Sequence, residues 1–309
     1  MPQITYAYST HVIPGGETIG IEVNSKGVLI VGFYKVNNQY IAKEAGFKTN
    51  DLITEINNIK VENIEKMVEL ISTSETPIKF KVIRNSQEKT INFNLKYNPK
   101  EILKTGILVK DKINGIGTLS YIDPTTKIFG SLGHEIIESN TATKFEIKNG
   151  KIYEASVSGI NKSERGTAGE KNATYNTEKI YGEIIENNSS GIYGTYTENI
   201  DDKETIEIGD EKSVTTGPAT IRTVIKDNKI EEFSINITNI NKDSKTKNIL
   251  FEITDQKLLD KTGGIIQGMS GSPIIQNNKL IGAVNYVIVN EPTKGYGIFI
   301  TTMLEEGEN

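Results

Sequence analysis

From about Pro99 to its end the chain never sustains a helical period. Short β-branched runs are broken by glycine, asparagine and aspartate at intervals too brief for a helix. Such spacing predicts a sandwich or barrel of short strands. No fixed-period repeat is present. Two stretches, Asn161 to Tyr175, rich in Gly, Lys and Glu, and the acidic Glu198 to Glu211, read as exposed loops.

The N-terminal third has a different texture. Residues 1–17, with Pro2, Pro14, Gly15 and Gly16, read as an extended lead-in. Ile19 to Val23 then alternates, and Gly27 to Gly32 is an apolar run of strand length. Ala45 to Asn58 reads as a turn, a strand and a second turn. Asn63 is placed to cap a helix whose apolar face holds Ile64, Met67, Val68 and Ile71 at i, i+3, i+4 and i+7. Two alternating strands, Ile78/Phe80/Val82 and Ile91/Phe93/Leu95, flank an Asn85-Ser86 turn.

Composition removes whole classes of chemistry. The 309 residues suit two or three domains. With 35 Lys plus Arg against 40 Asp plus Glu, the net charge is -5 without a basic stripe, so no nucleic-acid partner is expected. The absence of cysteine excludes a disulfide framework and a thiolate nucleophile, and His11 and His134 alone cannot build a multi-histidine metal site. No metal and no cofactor is implied. No run approaches the ~18 apolar residues that span a bilayer, and Met1-Pro2-Gln3 opens into polar chain without a signal-type apolar region.

The remaining chemistry concentrates in two segments. Gly268-Met269-Ser270-Gly271-Ser272-Pro273 sets a serine in a glycine-flanked turn ahead of a hairpin with an Asn277-Asn278 turn. Glycines let the backbone approach a scissile carbonyl, and the amides of Gly268 and Ser270 are candidates for an oxyanion hole. A nucleophilic serine needs a base, and His134 follows Phe129-Gly130-Ser131-Leu132-Gly133. His11 reads as a solvated side chain of the lead-in.

Ala45 to Asn58 resembles the Ala-Gly-Leu-x-x-Gly-Asp-x-Ile-x-x-Ile-Asn-Gly string of PDZ domains attached to bacterial proteases, with Asn50 and Asn58 replacing glycines. Residues 18–98 are therefore expected to form a small α+β PDZ domain that binds peptide or the protease's own segments. Its expected open sheet edge is Gly27, Val28, Leu29, Ile30 and Val31. Residues 99–309 resemble chymotrypsin-fold peptidases in the order and separation of His134 and Ser270, though Met269 and Ser272 replace the aspartate and second glycine of that serine motif. The fold class expected is mainly β: a chymotrypsin-like double β-barrel peptidase domain preceded by the PDZ domain.

Together with Gly115 to Leu119, Asp123-Pro124, Thr254-Asp255, Thr262 to Pro273 and Asn290 to Gly297, these segments resemble the SpoIVB serine peptidase family of endospore-forming bacteria. The resemblance implies a serine endopeptidase of sporulation signalling, secreted from the forespore into the space between forespore and mother cell. It would cleave itself and the exposed part of a membrane-bound regulator, leading to pro-sigma-factor processing. It also carries the family's essential aspartate onto Asp255, beside Ser270 and His134, with Asp260, Glu183 and Glu178 as other acids able to hold the imidazole tautomer. Tyr286, where relatives carry histidine, and Glu135, where they often carry glycine, are expected to leave the serine-histidine pair untouched. The competing reading is a catalytically inert PDZ-containing peptide-binding scaffold.

Overall fold

The computed structural model describes residues 8–95 and 103–308. The opening Met1-Pro2-Gln3 and the expected domain boundary at 98/99 lie outside the described residues. In chain order the elements begin with β1 (His11–Pro14), β2 (Thr18–Phe33), α1 (Ile41–Glu44), β3 (Leu52–Ile56), β4 (Ile59–Lys60), α2 (Ile64–Thr73), β5 (Ile78–Arg84) and β6 (Gln87–Phe93). They continue with β7 (Ile107–Ile122), β8 (Ile128–Ser131), β9 (Ile137–Glu138), β10 (Thr143–Lys144), β11 (Ile147–Asn161), β12 (Gly169–Asn188), β13 (Gly191–Tyr196) and β14 (Ile206–Ile208). The last are β15 (Gly217–Val224), β16 (Ile230–Ile240), β17 (Ile249–Ile253), α3 (Gln256–Thr262), β18 (Ile266–Gln267), β19 (Pro273–Gln276), β20 (Lys279–Val287), β21 (Lys294–Phe299) and α4 (Ile300–Gly307).

The chain divides into two compact units. The smaller takes Val23–Ile113 and Ile137–Asn149; the larger takes the chain up to Glu22, Asn114–Ile136 and everything from Gly150. The smaller unit thus runs past the boundary expected at 98 and recruits a short later segment.

In the smaller unit β6, β5, β3 and β2 pair in that order, all antiparallel. Helix α2 starts as its sequence predicts, Asn63 Oδ1 accepting from Lys66 N at 2.8 Å. Of its expected face Met67 and Ile71 are buried and Ile64 packs against the core, while Val68 stays exposed and Leu70 takes its place in the buried stripe. Against it pack Phe47, Phe80 and Phe93, with Phe47 and Phe80 edge to face at 5.1 Å. Asn50 and Asn58 take φ of 71° and 66°, the left-handed values for which asparagine substitutes for glycine.

The expected open edge needs correction. Val28 and Leu29 pair with Ile53 and Leu52, and Ile30 N donates to Asp51 O. Strand β2 also pairs with β7, and just beyond its end Tyr34 N donates to Gly106 O. A Cβ at Gly32 would touch Leu108. Gly27 to Ile30 are buried and have neighbouring strands of their own chain, so this stretch is an interior strand filled by the chain's own segment.

The larger unit contains two closed six-stranded circuits. In the first, pairing runs β2, β7, β8, β13, β12, β11 and back to β2. In the second it runs β15, β16, β17, β21, β20, β19 and back to β15. Closure leaves no unpaired edge, the solution available to many short strands without covering helices. The second barrel is filled by Ile221, Phe233, Phe251, Met269, Ile274 and their neighbours. Asn277 and Asn278, at φ 52° and 59°, make the two-residue turn that joins β19 to β20. The lead-in is partly strand: β1 pairs with both β7 and β14, and Val12 is fully buried, whereas His11 is exposed.

Both stretches read as loops are partly built into this unit. Strand β12 starts at Gly169 and buries Lys171, and β14, within the acidic stretch, pairs with β1 and β20. A lysine-rich and acidic composition predicts solvent only when no polar pocket awaits the side chain.

Candidate active site

His134 is delivered by the first barrel. Beyond β8 the backbone turns through Leu132 and Gly133, both left-handed at φ 71° and 70°. A branched side chain there is strained and persists only where its surroundings fix it. They do: Ser131 Oγ donates to Thr118 O at 2.6 Å, and a Cβ on Gly133 would lie 3.0 Å from Asn285 Cβ.

Ser270 is delivered by the second barrel, in the turn between β18 and β19. Gly268 and Gly271 on either side have φ of 91° and 94°, which explains the glycine spacing. The turn is locked against the first barrel by Thr118 N donating to Ser270 O at 3.0 Å and Thr118 Oγ1 donating to Gly268 O at 2.7 Å. A Cβ on Gly271 would fall 2.0 Å from Thr118 O and 2.6 Å from Leu132 N. The serine and histidine segments are therefore in backbone contact.

The two side chains contact adjacent residues of β20, and among the described residues no hydrogen bond joins Ser270 Oγ directly to the His134 ring. Ser270 Oγ donates to Asn285 O at 3.3 Å, and the His134 ring stacks on Tyr286 with centroids 5.5 Å apart and 27° between planes. Residues more than a hundred positions apart thus flank one dipeptide. In the turn itself Met269 N, Gly271 N and Ser272 N each donate to a backbone carbonyl. Ser270 N has no backbone acceptor among the described residues. A free amide beside the hydroxyl is what an oxyanion site requires. Gly268, the other expected donor, has its carbonyl held by Thr118.

The imidazole is held from an unexpected direction. Nδ1 lies 2.9 Å from Glu135 O. A carbonyl can only accept, so Nδ1 carries the proton and Nε2 keeps the lone pair. Burial lowers the His134 pKa below the ordinary imidazole value, offset in part by the Glu135 carbonyl and charge. The ring is neutral near pH 7, as a base must be.

Asp255 has another role. Its Oδ1 accepts from Leu258 N at 2.9 Å, capping α3, and Asp255 N donates to Ser234 O. The structure does not bring it to the imidazole among the contacts of either group. Nor do the alternatives serve: Glu178, Glu183 and Asp260 are exposed, and Asp260 accepts from Gln256 Nε2. Glu135 and Tyr286 both lie against the base: the Glu135 main-chain carbonyl meets Nδ1 of His134, and the Tyr286 ring stacks on the imidazole. Sequence reasoning missed Thr118 and Lys171 as well. Thr118 lies within Gly115 to Leu119, but nothing in the neighbouring sequence marks its hydroxyl.

Two closed barrels that bring a serine turn and a histidine loop together define the class of chymotrypsin-like serine peptidases. The SpoIVB peptidase S55 family matches residues 101–304 and the PDZ domain family residues 18–95. The chain belongs to the SpoIVB peptidase S55 family and is a serine endopeptidase with an N-terminal PDZ domain. Among solved structures it is similar to the Rv3671c protease of M. tuberculosis in its active form, at 11% identity over 63% of this chain and 73% of that one, with a TM-score of 0.36. The inactive form of Rv3671c gives 12% identity over 62% and 82%, with a TM-score of 0.35. No curated protein matches significantly.

Proposed function

We propose that Ser270 is the nucleophile and His134 its general base. The seating of the two side chains against Asn285 and Tyr286, adjacent on β20, supports this reading. Ser270 Oγ turns from Asn285 O and attacks a peptide carbonyl carbon while His134 Nε2 takes its proton. The Ser270 amide, with that of Gly268, receives the oxyanion. The imidazolium then protonates the leaving amine, and water repeats the sequence on the acyl-enzyme. Glu135 O holds Nδ1–H throughout, the tautomer-fixing role that a carboxylate fills in the Ser-His-Asp arrangement.

Family membership supports a place in sporulation signalling. The enzyme would leave the forespore, mature by self-cleavage in the space facing the mother cell and cut the exposed part of a membrane-bound regulator, ahead of pro-sigma-factor processing. A fluorophosphonate probe should label Ser270, as located by peptide mapping. Ser270→Ala should lose labelling, self-cleavage and cleavage of a partner while keeping its thermal transition. Cleavage persisting in that variant would refute the assignment, and a folded wild-type protein that neither labels nor cuts would be an inert scaffold.

A further inference from the structure

The larger unit buries a lysine that the reaction above does not use. Lys171 is 5% exposed, and its Nζ lies 2.9 Å from Thr223 Oγ1, 3.2 Å from Thr18 Oγ1 and 3.4 Å from Thr118 Oγ1. The threonines are themselves buried, Thr118 and Thr223 fully. Among the described residues Lys171 has no carboxylate partner, and burying a lysine that way is costly, so its position calls for a reason.

The stem and the head of this side chain reach the same loop. A Cβ on Gly268 would meet Lys171 Cδ, Cβ and Cγ at 3.1, 3.2 and 3.3 Å, so the stem lies under that glycine. The head reaches it through Thr118. The Thr118 hydroxyl proton goes to Gly268 O, hence its oxygen can only accept from Lys171. The same residue's amide grips Ser270 O. One relay therefore runs from Nζ through Thr118 to the carbonyls on both sides of Met269.

We infer that Lys171 is a positioning residue, acting through Thr118 to hold the Gly268–Ser270 turn with its amides aimed at the oxyanion. The inference rests on Ser270 being the nucleophile. Burial also lowers the Lys171 pKa to about 7, consistent with a head group surrounded by hydroxyls and apolar stem contacts. A misaimed donor weakens the charged transition state more than substrate binding.

The test measures saturable fluorophosphonate inactivation, separating the binding constant KI from the chemical rate kinact. In Lys171→Met, kinact should fall about 10- to 100-fold with KI within about twofold, and the melting temperature should not fall. Thr118→Val should match it, Thr118→Ser should restore near wild-type kinact, and the double variant Lys171→Met with Thr118→Val should be no slower than either single one. Wild-type kinact in a folded Lys171→Met overturns the inference. Should that variant not fold, wild-type kinact in Thr118→Val overturns it instead. Absence of Ser270 labelling in the wild-type protein would refute the nucleophile assignment itself, a different failure from unimpaired variants of a labelled enzyme.

Discussion

The ring of His134 lies over the ring of Tyr286, 5.5 Å between centroids, and Tyr286 in turn lies under Lys247 Nζ at 5.1 Å. The tyrosine shields one face of the base from water. Because desolvation is the largest influence on the His134 pKa and lowers it, the acid limb of kcat/KM should fall below the ordinary pH ~6.5 of an imidazole. Only the neutral ring accepts the serine proton, so activity is lost as pH drops through that limb. Tyr286→Ala should move the limb upward towards pH ~6.5 and reduce kcat/KM about fivefold, near the ~1 kcal/mol of an aromatic pair. Tyr286→Phe should preserve both, and pH-rate profiles of the three proteins check this.

Asp255 separates a cap from a catalytic acid. Asparagine accepts from Leu258 N as aspartate does, so Asp255→Asn should keep stability and most activity. Asp255→Ala should cost about 1 kcal/mol and lower activity, because α3 leads through Gly263 and Gly264 into the serine turn. If the carboxylate oriented the imidazole, the asparagine variant would instead lose activity on the order of 10⁴-fold. Thermal melts and turnover of both variants decide.

Lys171 also predicts how stability depends on pH. Its pKa is lowered to about 7 in the folded protein, whereas an unfolded lysine titrates near pH ~10.4. Between these values the unfolded chain binds the extra proton, so stability should rise with pH, by at most about 1.4 kcal/mol per unit. The groups around the ammonium, Thr18, Thr118, Thr223 and Gly268, do not titrate. Denaturant melts from pH ~7 to ~9.5 should show the rise, and Lys171→Met should flatten it. Half-buried Tyr181 and buried Tyr193 and Tyr196, whose pKa values are raised, oppose it only at higher pH.

In the smaller unit Asp51 is fully buried and paired with Arg84 by two bonds, 2.6 Å from Nε and 2.7 Å from the terminal nitrogen, and it accepts from Lys48 N at 2.8 Å. Arg84→Met leaves that carboxylate without its cation and should destabilise this unit by about 3 kcal/mol. Asp51→Asn with Arg84→Met should recover part of the loss. Hydrogen exchange of β3 and β5 amides in the wild-type protein and the two variants gives the measurement.

What the sequence disclosed had local causes. The asparagine turns at Asn50, Asn58 and Asn277-Asn278, the Asn63 cap and the two glycines beside Ser270 all follow from backbone conformations that few residue types accept. What stayed hidden depended on distant partners. The closure of the Gly27–Val31 strand comes from β7, some eighty residues on. The His134 tether is a main-chain carbonyl, which every residue type possesses, so no side chain at position 135 advertises it. Lys171 looked solvated because three scattered threonines receive it.

Strands β2 and β7 each begin in one compact unit and finish in the other. Each of these two strands consequently serves both units. Scissors applied near position 98 would free no self-sufficient cassette, since each fragment would carry away half of a ladder that the other needs.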